Sequence, residues 1–227
     1  MEKQTITINQ LKKTRLHVVI EGDSDLILNK KSLSFEREEI FKQSHPKGTP
    51  IPDELNARLH YNLWEKLCTS ITWEKPAPIY DRYEDYTEEL WRELVTTNRP
   101  CILSKAFSAS FYETFVSFYK EATGRPGTDF KRSVSLMNWK NPVTITSATY
   151  SQHLTPNTGI NKVNVLAQHN IFSGWSCELE LIIFEAVFPL ETVIEIINSA
   201  GEFIGIGTKR AEGYGRYHIT TVTAEGI

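Results

Sequence analysis

Cysteine is sparse and scattered: Cys68, Cys101 and Cys177 lie far apart, odd in number and without a CxxC pair. A disulfide framework and a structural zinc site are therefore not expected, and no metal or other cofactor is assigned. Long apolar runs are missing as well, none approaching the roughly 18 residues of a membrane span. The opening Met1-Glu2-Lys3-Gln4 is polar, unlike a signal peptide of ordinary form. These absences predict a reduced, cytoplasmic chain with no membrane contact. A basic excess is also lacking, since 25 Lys and Arg stand against 28 Asp and Glu for a formal charge of −3. Any grip on nucleic acid must then come from local patches. There is no HExxH, no serine nucleophile elbow and no Gly-Lys-Ser/Thr, so the common hydrolase and P-loop chemistries have no motif to rest on.

What is present is concentrated near the end of the sequence. Gly201, Gly205, Gly207, Gly213 and Gly215 stand beside Lys209, Arg210 and Arg216, with Tyr214 and Tyr217 among them. Ahead of them Leu190, Val193, Ile194, Ile197 and Ala200 keep helical spacing, and Gly201 stands where a helix takes a left-handed cap. Behind them Tyr217 to Thr223 is β-branched and aromatic, which predicts a strand. A dinucleotide or phosphate loop runs from strand into helix, whereas this one runs from helix into strand. What remains is a loop whose bare backbone lets a partner come close, with cations and rings at hand. Guanidinium groups on phosphates and rings under bases suit a single-stranded nucleic acid. A glycine-rich turn with solvated charges is the plainer alternative.

A length of 227 residues fits one large domain, or one with a substantial insertion. Leu16 to Glu21 predicts the first strand, closed by Gly22-Asp23-Ser24-Asp25 and followed by Leu26-Ile27-Leu28 and a basic spot at Lys30 and Lys31. Next comes a turn-rich linker at 44–52, then a helix opened by Pro52 or Asp53 with Leu55, Leu59, Leu63 and Leu67 on one face. The acidic, tyrosine-rich stretch at 74–91 would repel phosphate and suits packing against protein. Together these predict an inserted helical subdomain at 33–99 within a core made of 1–32 and 100–227.

After Pro100, Ser104 is placed to cap a helix whose Phe107, Phe111, Phe115, Phe118 and Ala122 form a core stripe ended by Gly124. Lys105, Arg125, Lys131 and Arg132 add cations around it. Several strands are predicted across 133–172, with an exposed loop at 155–159, and the clearest strand at 177–188. The skeleton is an α+β chain with a ferredoxin-like, RRM-like βαββαβ core, a helical insertion and a C-terminal glycine-rich loop.

A core of this kind, with its glycine-rich loop between last helix and last strand, resembles the RAMP superfamily, which includes RNA-binding backbone and processing subunits of CRISPR systems. Gly205 to Tyr217 is similar to that family's loop, with Arg210 and Arg216 at basic positions, and Pro100 to Phe107 is similar to its lead-in to the first helix. The segments Gly22 to Ile27, Phe172 to Trp175 and Ala200 to Gly207 together resemble short bacteriophage and prophage proteins of that type. The likeness covers roughly 16–32 and 100–222 of the sequence. It implies a non-catalytic protein that binds single-stranded RNA or DNA, phage or CRISPR related. Such a protein would assemble as an oligomer or multi-subunit complex in a bacterial or infected host cytoplasm. The implied contacts are Lys30, Lys31, Lys105, Arg125, Lys131, Arg132, Gly205, Gly207, Lys209, Arg210, Gly213, Tyr214, Gly215 and Arg216. Glu212 to Tyr217 also resembles the RNP1 signature of RRM domains, but it opens on an acid and follows the last helix.

Two alternatives stay open. A metal-independent RAMP-type endoribonuclease would use a histidine. His17 and His218 fall in the predicted first and last strands, neighbours in this fold, and none falls in 100–123. A protein-binding assembly or counter-defence component would use the 74–91 stretch. Asp23 and Asp25 could hold a divalent ion, although aspartates at a strand end more simply terminate it. No catalytic and no metal-binding residue is assigned.

Overall fold

The structure, a computed structural model, describes residues 12–57, 59–155 and 165–227. Of the polar, threonine-rich positions 1–14, whose sequence suits a loose arm or an edge strand, 1–11 lie outside the described residues, as does the tract at 156–159, while Lys13 and Thr14 open the first strand. The rest is a mixed α/β arrangement with antiparallel sheets.

Strand β1 (Lys13–Gly22) alternates strictly, with Thr14, Leu16, Val18 and Ile20 inward and Arg15, His17, Val19 and Glu21 outward. A slip of one residue would exchange the two sets. Leu16, Val18 and Ile20 are fully buried, so exposing three such side chains costs about 5–9 kcal/mol, comparable to a whole domain's stability. Register is fixed by that difference. β2 (Leu26–Leu28) follows, then α1 (Leu33–Ser44), α2 (Leu63–Thr69), α3 (Glu88–Thr97), β3 (Cys101–Leu103) and α4 (Ser104–Thr114). A π-helical turn at Phe115–Tyr119 joins α4 to the short α5 (Lys120–Thr123), which ends at Gly124 with φ 64°. After α6 (Gly127–Ser133) come β4 (Val134–Leu136), β5 (Lys140–Thr144), β6 (Ser147–Thr155), β7 (Val165–Ser173) and β8 (Ser176–Phe184). Helix α7 (Leu190–Ser199), a π-helical turn at Ala200–Ile204 and β9 (Tyr217–Gly226) complete the chain.

The main sheet runs β3-β5-β8-β1-β9, with β4 sharing the edge of β8 that β5 also uses. β8 alternates like its partner, so Leu181, Leu179 and Cys177 lie opposite Leu16, Val18 and Ile20 on one apolar face. Phe107, Phe111 and Phe115 of the α4 segment and Val193, Ile196, Ile197 and Ala200 of the α7 segment join the same core cluster. A second sheet, β2-β7-β6, carries the long β6–β7 hairpin.

The segment 33–99 closes onto this core. Leu67, Cys68, Trp73, Tyr86, Trp91 and Leu94 belong to the same apolar cluster as β1 and β8. Trp91 donates from Nε1 to Asn170 Oδ1 at 2.8 Å, and Asn170 Nδ2 donates to Leu67 O at 3.1 Å.

Four local expectations change. The leucines from 55 to 67 do not share one helix: a 3-10 turn at Asp53–Leu55 stops, and α2 starts afresh where Asn62 Oδ1 accepts from the amides of Trp64 and Glu65. That cap satisfies two end donors and fixes the later start. Ser104 is not the cap of its helix. Its hydroxyl donates to Asn138 O, and Leu103 occupies the cap position. Phe118 and Ala122 leave the core stripe because the π turn inserts an extra residue and rotates them out, Phe118 being 54% exposed and Ala122 exposed. The strand predicted at 177–188 ends at Phe184.

Candidate nucleic-acid interface

The glycine loop begins one turn later than its sequence predicts. Gly201 lies within the π turn, and the left-handed residue ending the helix is Gly205, φ 76°. Gly201 is needed for another reason: a Cβ there would lie 2.0 Å from Tyr217 O, so the bare backbone lets α7 press onto β9.

From Gly205 onward the loop is stitched to the turn after β1. Ile206 N donates to Gly215 O (2.9 Å), Gly215 N to Asp25 O (2.8 Å) and Thr208 N to Ile27 O (2.8 Å). Ser24 Oγ donates to Gly213 O and accepts from Arg216 N, and Trp175 Nε1 donates to Ser24 O. The glycines serve this stitching. A Cβ on Gly207 would meet Ile27 O at 2.5 Å, and one on Gly215 would meet Ile206 O at 1.9 Å. On Gly205 it would sit 3.0 Å from Gly215 O, and only at Gly213 is the space open. What comes close to the bare backbone at these three positions is therefore the chain itself, which corrects the expected reason for the glycines.

Two of the loop's three cations have internal partners. Lys209 pairs with Glu212 at 3.0 Å, and Arg210 reaches Glu113 of α4 at 3.1 Å. Arg216 points Nη2 toward Arg210 O at 3.5 Å, while its Nη1 is buried with no partner among the described residues. Tyr214 is half-buried. Nor do these cations gather on the open sheet face. There β1 and β8 present His17, Val19, Glu21, Glu178 and Glu180 over one half, and Lys13, Arg15 and Phe184 toward one end, with Lys13 Nζ 5.3 Å from the Phe184 ring centroid. Over the acidic half a nucleic acid lying across the face, as on an RRM, would meet repulsion.

The cations that do converge come from farther apart in the chain. Lys30 and Lys31, Lys105 in the first turn of α4, and Gly207 and Thr208 of the loop line one groove with a volume of about 480 Å³. Acids face two of them, loosely at Lys30 and closely at Lys31, whose ammonium meets both carboxylate oxygens of Glu39. Lys30 stands 3.8 Å from Glu36 and Lys31 pairs with Glu39, both lysines about half exposed or more. Helix α4 starts without a side-chain cap, so its dipole adds positive potential at the same place. The groove continues, through Lys30, Ile71 and Thr72, into a second hollow of about 380 Å³ reaching Lys75, Trp139 and Lys140. Trp139 is 68% exposed, with Lys140 Nζ 5.2 Å above its ring. Sequence reasoning passed over Trp139, Lys140, Lys75 and Thr208. A tryptophan beside a lysine just ahead of Asn141-Pro142 was the available signal. Lys131 stands over the Tyr112 ring at 3.8 Å, on the far side of Lys105. Arg125 and Arg132 are exposed and line neither hollow.

The two strand histidines are held separately. His218 Nδ1 lies 2.7 Å from Asp23 Oδ1, and His17 Nε2 3.3 Å from Glu178. Opposite β9, His218 pairs in register with Glu21 and His17 with Thr223, which puts them roughly 13 Å apart along the strands. They cannot act as one acid–base couple at that distance. Burial pushes the thiols of Cys68 and Cys177 up to about 12 and that of Cys101 to about 11, so none is a thiolate at neutral pH. In the 74–91 stretch Tyr83, Tyr86 and Trp91 are buried, so these rings serve the chain's own packing and are not offered to a partner.

His169 of β7 is 8% exposed and its Nδ1 has no partner among the described residues. Burial, then Lys209, Lys66 and His153, holds its imidazole below the usual value. The unfolded chain therefore takes up its proton first as pH falls, and stability present above the ordinary imidazole value is lost below it. Urea midpoints compared at about pH 8 and about pH 5.5 are expected to show this loss, and His169→Gln to reduce it. A parent-like slope in the variant would assign it to other groups.

No family model matches the sequence, and no curated protein matches it. Among solved structures the chain is similar to one in a cryo-EM structure of the Type III-B Cmr-beta bound to cognate target RNA, with a TM-score of 0.47 and 10% identity. That match covers 94% of this chain, which spans 61% of the other's length. The crystal structure of Cmr6 from Pyrococcus furiosus is similar at a TM-score of 0.36 and 12% identity, covering 93% of this chain and 100% of that one. Likenesses this remote leave the functional reading to the chain's own geometry.

Proposed function

We propose that the chain binds a single-stranded nucleic acid along the groove between Lys105 and the segment after β2, as a non-catalytic, RAMP-like subunit of a larger assembly. One observation carries this reading: Lys30, Lys31 and Lys105, from distant parts of the sequence, face one hollow walled by the backbone of Gly207 and Thr208. Three cations over an uncapped helix start suit phosphates, and the exposed Trp139 beside Lys140 offers a stacking surface that any base can use. The chain's formal charge of −3 makes such a local patch the only way to hold a polyanion. The ferredoxin-like reading of the core accompanies it. Strand β1 lies between β8 and β9, and β4 and β5 lie beyond β8, the order that βαββαβ connections with α4 and α7 as crossovers would produce. On this reading 33–99 is the inserted subdomain, and its α1 and α2 form one bank of the groove.

Fluorescence anisotropy with labelled single-stranded RNA and DNA tests the proposal, and affinity must fall steeply with added salt. Salt-independent binding, or none to either strand, would end it. The loop cations supply a second check. Glu113 and Glu212 partly neutralise Arg210 and Lys209, so Glu113→Gln with Glu212→Gln is expected to tighten binding about three- to tenfold at low salt, with the gain fading at high salt. Unchanged affinity in the double variant would remove the loop from the interface.

A further inference from the structure

Beyond Lys105, on the opposite side from Lys30, a cavity of about 650 Å³ opens between α4 and the α6–β4 segment. We infer that it receives one base of the bound strand; this inference rests on the strand-binding reading above.

The floor is Phe130, 2% exposed and stacked on Phe115 at 4.9 Å with the rings nearly parallel. Val134 and Leu136 form one wall and Tyr112 the other. The tyrosine ring is set in place from behind: Gly127, first residue of α6, is so close that a Cβ there would lie 2.6 Å from Tyr112 Cε2. The platform is thus built before any ligand arrives. Lys105 and Lys131 stand at the rim, Lys131 with its ammonium 3.8 Å over the Tyr112 ring. The acid of the lining, Glu113, is engaged by Arg210. An apolar slot with a prepared ring and cations at its mouth suits a flat aromatic group that carries negative charge beside it. A nucleotide has that combination. An acidic peptide could meet the lysines but has no large ring to fill the slot, and a hydrophobic peptide leaves the lysines unused.

Continuity decides where the nucleotide comes from. Lys105 lines both this cavity and the groove that holds Lys30 and Lys31. A strand with a phosphate on Lys105 therefore has an adjacent base at the cavity mouth. The base unstacks from its neighbours and exchanges that contact for the Tyr112 ring, from which it displaces the Lys131 ammonium, and for the Val134 and Leu136 wall.

The test uses oligonucleotides carrying 2-aminopurine, a fluorescent adenine analogue, at successive positions, with protein saturating by anisotropy. One position is expected to be strongly quenched by stacking, and Ala109→Trp, which fills the cavity from an exposed site on α4, to abolish that quench. Tyr112→Ala is expected to weaken strand binding about tenfold. Thermal unfolding of Ala109→Trp beside the parent shows that the variant folds. A quench that persists in Ala109→Trp, or an absence of any quenched position on a bound strand, overturns the inference and leaves strand binding standing. If the parent binds no strand, the underlying reading fails and the base pocket fails with it. Free adenosine monophosphate provides the last arm: binding as tight as the strand's, and lost in Ala109→Trp, would make the cavity a mononucleotide site and overturn the strand-borne base.

Discussion

Changing Lys30, Lys31 and Lys105 together to alanine is expected to weaken single-strand binding about a hundredfold at 0.1 M salt. The estimate follows from counterion release: each phosphate contact to a single strand contributes about 0.7 to the log–log salt slope, so three contribute about 2, or two decades between 1 M and 0.1 M. The triple variant should accordingly lose about 2 units of slope along with its affinity. Changing Lys209, Arg210 and Arg216 instead is expected to cost only about tenfold, because Lys209 and Arg210 must both first leave Glu212 and Glu113, whereas in the groove Lys31 alone is closely paired and Lys30 stands 3.8 Å from its acid. If the loop variant loses more than the groove variant, the loop is the main grip and the groove a secondary contact. A groove variant that binds like the parent would remove the site altogether.

Gly215→Ala is expected to be severely destabilising, by about 3–5 kcal/mol. Two costs add there: φ is 70°, and the new Cβ would stand 1.9 Å from the carbonyl oxygen of Ile206, a backbone atom with no flexible end to move. Gly213→Ala is the internal control. Its φ is 91°, but nothing lies within 4 Å of a Cβ, so only the backbone strain of about 1–2 kcal/mol applies. Urea unfolding of the two variants separates strain from collision. Equal losses would mean that the close approach of Gly215 to the Ile206 carbonyl contributes little to stability.

The main sheet was readable from sequence because its signal is local. Strict alternation in β1 and β8 needs no tertiary knowledge, and Leu16, Val18, Ile20, Leu179 and Leu181 all turn inward as their spacing predicts. The glycine loop was readable in position but not in purpose. A glycine that lets a ligand approach and one that lets a neighbouring carbonyl approach look identical in sequence, and Gly207 and Gly215 are of the second kind. The π turns at 115–119 and 200–204 left no mark to read, and they account for the displaced cap at Gly205 and for Phe118 facing solvent. The convergence of Lys30, Lys31 and Lys105 was hidden for a different reason. It depends on how 33–99 folds back, through Asn170 and Trp91 among others, and residues separated by dozens of positions reveal no adjacency by spacing.

The hydrogen bonds that join Ser24, Asp25 and Ile27 to Thr208, Gly213, Gly215 and Arg216 tie the turn after β1 to a loop far along the polypeptide. On the ribosome the first of these residues emerges long before the second, so the hollow lacks its Gly207 and Thr208 wall until that loop is made. Contacts so distant in sequence form late and slowly. A product cut short before residue 207 would carry Lys30, Lys31 and Lys105 yet lack the wall that shapes their hollow. If the groove holds a single strand as proposed, copies terminated ahead of that loop are expected to compete poorly for it.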